Sequence, residues 1–391
     1  MAIWMRFSVL LSIFSFIFPF LTHLSSLTII NLLNLLKNEI KGFLFFLSSL
    51  SMNQEQLTAL KALLSFPKNI AIIGHKGPDG DAVGSTLGLS LYLKKLNHTT
   101  TVIVPNDFPD FLKWMPQSES ILIYEKEKKK TAEVLNIADL IFTLDFNSLS
   151  RTGEEMQALL EKCDVPFAMI DHHQLPDSYA TYQFSDVRMS STCEMVYHFM
   201  VMMGDIDLLD KEIATCIYTG IMTDTGSFRF SSTTATTHQV ASRLIETGIE
   251  NAVIYQAVFD ANSAERMQLL GVALQNLVIL KEFNTAYITL SQDELDKHNF
   301  QKGDTEGFVN YGLSIKNIKF AAIFIEHKQE KIVKISFRSI GDFNVNVFAR
   351  NHFEGGGHNN AAGGKSNLGL KETVSQFISN LQAYKIELSH E

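Results

Sequence analysis

Cysteine is scarce in this 391-residue chain. The three present, Cys163, Cys193 and Cys216, are odd in number, widely spaced and set in apolar runs. That leaves no basis for a disulfide framework or a zinc knuckle and fits a reducing cytoplasm. All three read as core thiols. Positive charge is also in short supply: 33 Lys and Arg against 42 Asp and Glu give a formal net charge of −9. A protein that coats duplex DNA by counterion release needs the opposite balance, so duplex DNA is excluded as a partner. A short anion can still be bound where metals or a local basic patch reverse the sign. Internal repeats and low-complexity tracts are absent. With 46% hydrophobic and 19% charged residues, the chain is globular and long enough for two ordinary domains.

Residues 1–51 stand apart because most of them lie in one uncharged apolar run. The run "FSVLLSIFSFIFPFLTHLSSLTIINLLNLL" contains His23 and no acidic or basic residue. About 20 apolar residues suffice to span a membrane, but Pro19 and "THLSS" break the run into two short halves. A signal sequence would call for an A-x-A-like cleavage site, and none follows. The third reading is an over-extended start, because "MNQEQLTALKALLSFPKNIAII" from Met52 has the form of a soluble N-terminus. The choice sets localisation: cytoplasmic, or membrane-anchored with the catalytic core in the cytoplasm. A membrane partner is expected only if residues 1–51 are truly translated.

From Met52 onward, strands and helices alternate. "NIAIIG" (69–74), 99–105, "DLIFTLD" (139–145) and "PFAMIDHH" (166–173) read as strands. Helical stretches at Ala82–Leu96 and 154–162 lie between them, the pattern of βαβ units and a parallel sheet. Beyond Ser190 the chain turns helical, with a long zone at about 235–277. Strands return from Val278, and a helix, a Gly-rich loop and a last helix (370–384) close the chain. The basic "EKEKKK" (125–130) reads as a solvated loop or helix start. The expected fold is α/β: a parallel-sheet N-terminal domain over 52–243, a helical linker over 244–276 and a smaller α+β domain over 277–391.

The chemistry-bearing residues fall at the ends of these elements. His75, Asp79 and Asp81 follow the first strand, Asp145 ends the third, and Asp171, His172 and His173 end the fourth. In an open parallel sheet such positions share one crevice. Asp224, ending the apolar helix "IYTGIMTD", can reach the same rim. Singly, each residue has an ordinary reading: Asp-Gly-Asp as a turn, a strand-terminal Asp as a cap. Together, so many carboxylates without matching Lys or Arg would repel one another in a dry cleft. Divalent cations remove that conflict, and carboxylate and imidazole donors without thiolate favour Mn²⁺ or Mg²⁺. Two such ions bridged by one carboxylate form the arrangement of phosphate-ester hydrolases. "MSSTCE" (189–194) reads as a helix N-cap region; helix N-termini also bind phosphate, so a substrate role for Ser190, Ser191 and Thr192 stays open.

These stretches resemble a known family. "HKGPDGDAVGS" (75–85) is similar to the first motif of the DHH phosphoesterases, and "IDHH" (170–173) to the motif that names them. "LDFNSLSRTG" (144–153) resembles their second motif and "GIMTDTGSF" (220–228) their fourth. "FEGGGHNNAAGG" (353–364) resembles the glycine-rich signature of the DHH-associated C-terminal domain. The resemblance implies that His75 and Asp79 hold one metal and that Asp81, His172 and Asp224 hold the other. Asp145 bridges them, His173 touches the scissile phosphate, and Asp171 orients a neighbouring histidine. It also implies that Arg338 and His358 grip the substrate. For Gly355, Gly356 and Gly357 the residues themselves suggest an anion-binding loop, since glycine lets backbone N–H groups approach a ligand closely. The cofactor implied is two divalent cations, Mn²⁺ before Mg²⁺.

The two-domain arrangement without a further module resembles the oligoribonuclease and 3′-phosphoadenosine 5′-phosphate phosphatase branch. It implies hydrolysis of short RNA, linear dinucleotides and adenosine 3′,5′-bisphosphate, with the cleft between domains measuring substrate length, and a homodimer. The alternatives are a cyclic-dinucleotide phosphodiesterase and a RecJ-like single-strand exonuclease. From a different class comes a non-catalytic nucleotide-binding sensor with a degenerate site, against which the intact ligand set speaks.

Overall fold

The computed structural model describes residues 52–389, so the readings of residues 1–51 lie outside the described residues. The chain forms two compact units. The first is built from residues up to Asn251 and the second from Ala252 onward, with Pro109–Trp114 and His173–Leu175 grouped with the second.

The first unit is organised around strands β1 (Asn69–Ile73), β2 (Thr99–Val104), β3 (Leu122–Ile123), β4 (Leu140–Leu144), β5 (Phe167–Asp171) and β6 (Tyr182–Ser185). They form one sheet, ordered β3-β2-β1-β4-β5-β6 and parallel throughout. Its labelled helices are α1 (Gln54–Leu63), α2 (Gly80–Lys95), α3 (Lys128–Ile137), α4 (Glu154–Leu160), α5 (Thr192–Met203), α6 (Lys211–Asp224) and α7 (Ala235–Ile245). The central strands carry unbroken apolar runs because helices cover both faces. Ile141 packs with Leu135 of α3 and with Met156 and Leu160 of α4. Phe142, pointing the other way, meets Phe199 of α5 edge to face.

Two features of this unit position the site. First, the strand order reverses between β1 and β4, so their carboxyl ends flank the switch-point crevice where such sheets bind ligands. Second, α2 and α6 pack closely through glycines. A Cβ at Gly84 would lie 2.5 Å from the Cys216 carbonyl oxygen, and one at Gly220 would overlap Cys193 Sγ and lie 2.8 Å from Asp81 Oδ1. The close approach brings the C-terminus of α6, with Asp224, toward the N-terminus of α2, with Asp81. Cys193 and Cys216 are buried here, whereas Cys163 is only half-buried.

The second unit holds α8 (Asn251–Phe259, Asn251 itself belonging to the first), α9 (Ala264–Gln275) and a six-stranded mixed sheet. Its strands are β7 (Val278–Leu280), β8 (Thr285–Leu290), β9 (Phe320–His327), β10 (Ile332–Ser339), β11 (Gly356–Gly357) and β12 (Ala361–Ser366), ordered β11-β12-β10-β9-β8-β7. β8 and β9 are parallel and the other pairs antiparallel. The main later helices are α10 (Val345–His352) and α11 (Leu370–Leu381). The core is aromatic, with Phe320, Phe337, Phe348 and Phe377 in mutual ring contact.

The α/β class with a smaller second unit agrees with the sequence reading, and two details differ. The helical zone at 235–277 is divided among α7, α8 and α9. The Gly-rich stretch is a β-hairpin rather than a loop, because glycine lets the backbones close up. A Cβ at Gly357, whose φ is +151°, would lie 2.5 Å from the Ala361 carbonyl oxygen. No helix of the described residues is long and apolar enough to cross a membrane.

Candidate metal centre

Asp79 caps α2. Its Oδ1 accepts from the N–H groups of Asp81 (3.0 Å) and Ala82 (3.1 Å), while Oδ2 lies 3.9 Å from His75 Nε2. Asp-Gly-Asp is thus a helix cap rather than the turn of its ordinary reading, and the cap leaves an oxygen for chemistry. Asp81, in the first turn of α2, is buried. Its two oxygens accept from the backbone N–H groups of Thr192 (2.6 Å) and Cys193 (2.8 Å) in the first turn of α5.

Asp145 follows β4 in the left-handed region, at φ +65°, a conformation that costs a non-glycine residue energy and collects at functional sites. Its Oδ2 lies 3.3 Å from His75 Nε2, and its Oδ1 lies 3.5 Å from His172 Nε2. His172 Nε2 is also 3.8 Å from Asp81 and 3.6 Å from Asp224, the last residue of α6. Two donor groups result: His75, Asp79 and Asp145, and Asp81, Asp145 and His172. In each, one ligand atom per residue lies within 4.8 Å of the others. Asp145 is common to both, with one oxygen facing each imidazole.

The histidine rings are oriented for this task. Nδ1 of His75 is 3.0 Å from the Lys76 carbonyl oxygen, and Nδ1 of His172 is 3.3 Å from that of Met189. Each ring donates from Nδ1 and turns Nε2 to the cluster, the tautomer a metal-binding histidine adopts when a carbonyl holds its other nitrogen. The electrostatics agree. Burial together with the charges of Asp145 and Asp224 pushes the Asp81 carboxyl well above the usual range. For His172, burial opposes the charged form. The hydrogen bond to Asp145 and the charges of Asp224, Asp145 and Asp81 outweigh that and hold its pKa well above the usual value. His75 is raised for the same reasons, burial again opposing and Asp145 and Asp79 prevailing. Without a cation the cluster takes up protons in its place, so the donor set fits divalent metal.

Other expected residues have different surroundings. Asp171 is fully buried at the end of β5, with a carboxylate oxygen within 4.8 Å of one from Asp145. His173 is half-buried and is grouped with the second unit. In the second unit, Arg338 on β10 stands opposite Ala361, with one guanidinium nitrogen donating to the Phe337 carbonyl oxygen at 2.9 Å. His358 lies in the turn joining β11 to β12. The N–H of Gly355 donates to Ala349 O at 3.3 Å, and that of Gly357 to Asn346 Oδ1 at 3.1 Å. Buried Asn346 therefore organises the glycine turn and also accepts from Arg350 Nε. Nothing in the sequence marked it, since an Asn within a helix reads as a weak helix former.

The pattern described as the DHH family, N-terminal domain, matches residues 69–221, and that of the DHHA1 domain matches residues 282–385. A solved structure from Bacteroides fragilis, an exopolyphosphatase-related protein, is 39% identical with a TM-score of 0.83. The match covers 87% of this chain and 99% of that one. The chain belongs to the DHH family.

As a DHH-family protein it is a hydrolase acting on ester bonds, and the resemblance to DHH phosphoesterases with a DHH-associated C-terminal domain holds. The bifunctional oligoribonuclease and PAP phosphatase NrnA of Thermus thermophilus is 29% identical over 75% of this chain and 83% of its own length. The cyclic-di-AMP phosphodiesterase GdpP of Bacillus subtilis is 25% identical over 83% of this DHH-family chain, which spans 49% of it.

Proposed function

We propose that the chain is a two-metal phosphoesterase that hydrolyses short oligoribonucleotides, including linear dinucleotides, and adenosine 3′,5′-bisphosphate. The observation that carries this reading is the sharing of Asp145, one oxygen toward His75 and the other toward His172. A carboxylate common to two donor groups is what a pair of divalent cations bridged by one residue would require. The similarity to bifunctional oligoribonuclease and PAP phosphatases over most of both chains supports the substrate class.

In this reading His75 and Asp79 serve one position, Asp81, His172 and Asp224 the other, and Asp145 both. Two divalent cations bound there supply a water of lowered pKa and offset the charge on the phosphoryl oxygens. The carboxylate and imidazole donors, free of thiolate, favour Mn²⁺. His173 donates to the scissile phosphate, and Asp171 holds its neighbours in orientation. Residues 52–243 carry the chemistry, 244–276 connect, and 277–391 bind the rest of the substrate through Arg338, His358 and the Gly355–Gly357 turn. Arg338 suits a terminal phosphate, which a guanidinium can grip with two parallel hydrogen bonds. The three unbridged cysteines favour a cytoplasmic setting.

The test is a product assay with Mn²⁺ on RNA of two to five nucleotides, adenosine 3′,5′-bisphosphate, cyclic-di-AMP, long single-stranded DNA and pyrophosphate. The first two are expected to be turned over fastest. Preference for cyclic-di-AMP, long DNA or pyrophosphate overturns the substrate assignment, and binding without turnover of any of them favours a sensor.

A further inference from the structure

The segment "SSTCE" at the start of α5 is more than a helix cap. Ser191 Oγ accepts from the Glu194 N–H at 3.0 Å, the ordinary N-cap bond. The next two N–H groups are taken by Asp81, so they do not face an open anion site. The Thr192 hydroxyl is fully buried and donates to Asp145 Oδ1 at 3.0 Å, the oxygen that faces His172. One short turn therefore touches two of the three residues in the Asp81, Asp145 and His172 group, but only one in the His75, Asp79 and Asp145 group.

We propose that Thr192 is a positioning residue for the candidate metal centre. Its hydroxyl holds Asp145 Oδ1 and thereby fixes the carboxylate plane, orienting that oxygen toward the position shared with His172 and Asp81. The inference rests on the two-cation reading above. A carboxylate oxygen has two acceptor directions, and groups that hydrogen-bond to metal ligands orient them and raise metal affinity.

The turn is braced so that the hydroxyl cannot drift. Glu194, buried in the same turn, accepts through Oε2 from the Ser190 N–H (3.2 Å), the Ser190 hydroxyl and the Thr237 hydroxyl of α7 (3.0 Å). Its Oε1 lies 3.6 Å from His198 Nε2. These bonds lock the residue preceding the cap to the N-terminus of another helix. They also explain why a glutamate is tolerated in a buried position.

The experiment compares the full-length wild type with Thr192→Val, which exchanges the hydroxyl for a methyl group of similar shape, and Thr192→Ser, which restores it. Metal-free proteins are titrated with Mn²⁺ and the free ion is followed by electron paramagnetic resonance. Wild type is expected to take two ions. Thr192→Val should keep one affinity and lose about tenfold or more at the other, still unfolding cooperatively in EDTA though at a lower midpoint, since the buried carboxylate loses a donor. Thr192→Ser should recover the second affinity, and kcat should fall in Thr192→Val while KM holds. Coincident isotherms for wild type and Thr192→Val overturn the inference and leave the two-cation reading standing, as does Thr192→Ser falling as far as Thr192→Val. A wild type that takes up fewer than two ions overturns that reading and this inference with it.

Discussion

Asp145 is the residue at which chemistry and backbone can be separated. Its carboxylate is buried and lies 3.3 Å from one imidazole and 3.5 Å from another. Removing a group that only orients a metal ligand costs about 10–100-fold in activity, so removing a carboxylate shared by two donor groups should cost at least about 10²-fold in kcat/KM. The choice of replacement matters because the residue sits at φ +65°. Asparagine tolerates the left-handed region, whereas alanine there costs about 1–2 kcal/mol. Asp145→Asn should therefore lose activity while folding as wild type does in its turn, and Asp145→Ala should lose activity and, relative to Asp145→Asn, stability. In thermal unfolding with EDTA the difference between the two variants should be about 2–8 °C. Both variants lack the carboxylate, so that difference isolates the backbone. The activity assay is hydrolysis of a labelled RNA dinucleotide with Mn²⁺. Asp145→Asn turning over within tenfold of wild type would refute the shared-carboxylate argument, and equal midpoints would refute the backbone argument.

The same cluster predicts a pH dependence. The folded-state pKa values of His75 and His172 are raised above the usual 6.5, and that of Asp81 above the usual 3.8. The metal-free folded protein thus holds protons that the unfolded chain releases. The associated stability is fully present below those ordinary values and is lost as pH rises through the raised ones. The unfolding midpoint in EDTA should fall as pH is raised above about 6.5 on this account, and saturating Mn²⁺ should flatten the fall, since cation uptake displaces the same protons. A midpoint that rises over that interval contradicts the electrostatic description. Arg338→Ala should chiefly raise KM if the residue grips the far part of the substrate as proposed; a kcat loss at unchanged KM would contradict that role.

Much of the site was legible because it is written at element ends. His75 follows β1, Asp145 follows β4 and His172 follows β5, and an alternating pattern of apolar runs and helices is enough to call those ends and a shared crevice. Asp224 could be placed at a helix terminus by the same reading. The second unit's hairpin was not legible, because two-residue β11 and a strand reading "AAGGKS" carry neither alternation nor bulk. Strand β6 reads "YQFS", which alternates but at four residues is too short to stand out. The role of Thr192 was equally hidden: "SSTCE" announces a cap, and nothing in its spacing says that the capped helix points its first turn at Asp81 and Asp145, more than 110 and 40 residues away.

The sequence by itself determined the family, the α/β class and the donor types, because residue identity and local periodicity encode those directly. Only the tertiary structure decided which oxygen of Asp145 faces which histidine, that Asp81 is held by the start of α5, and that glycines at 84 and 220 draw α2 and α6 together so that Asp224 meets His172. These are outcomes of side-chain packing between segments far apart in the chain, and side-chain packing has no local signature.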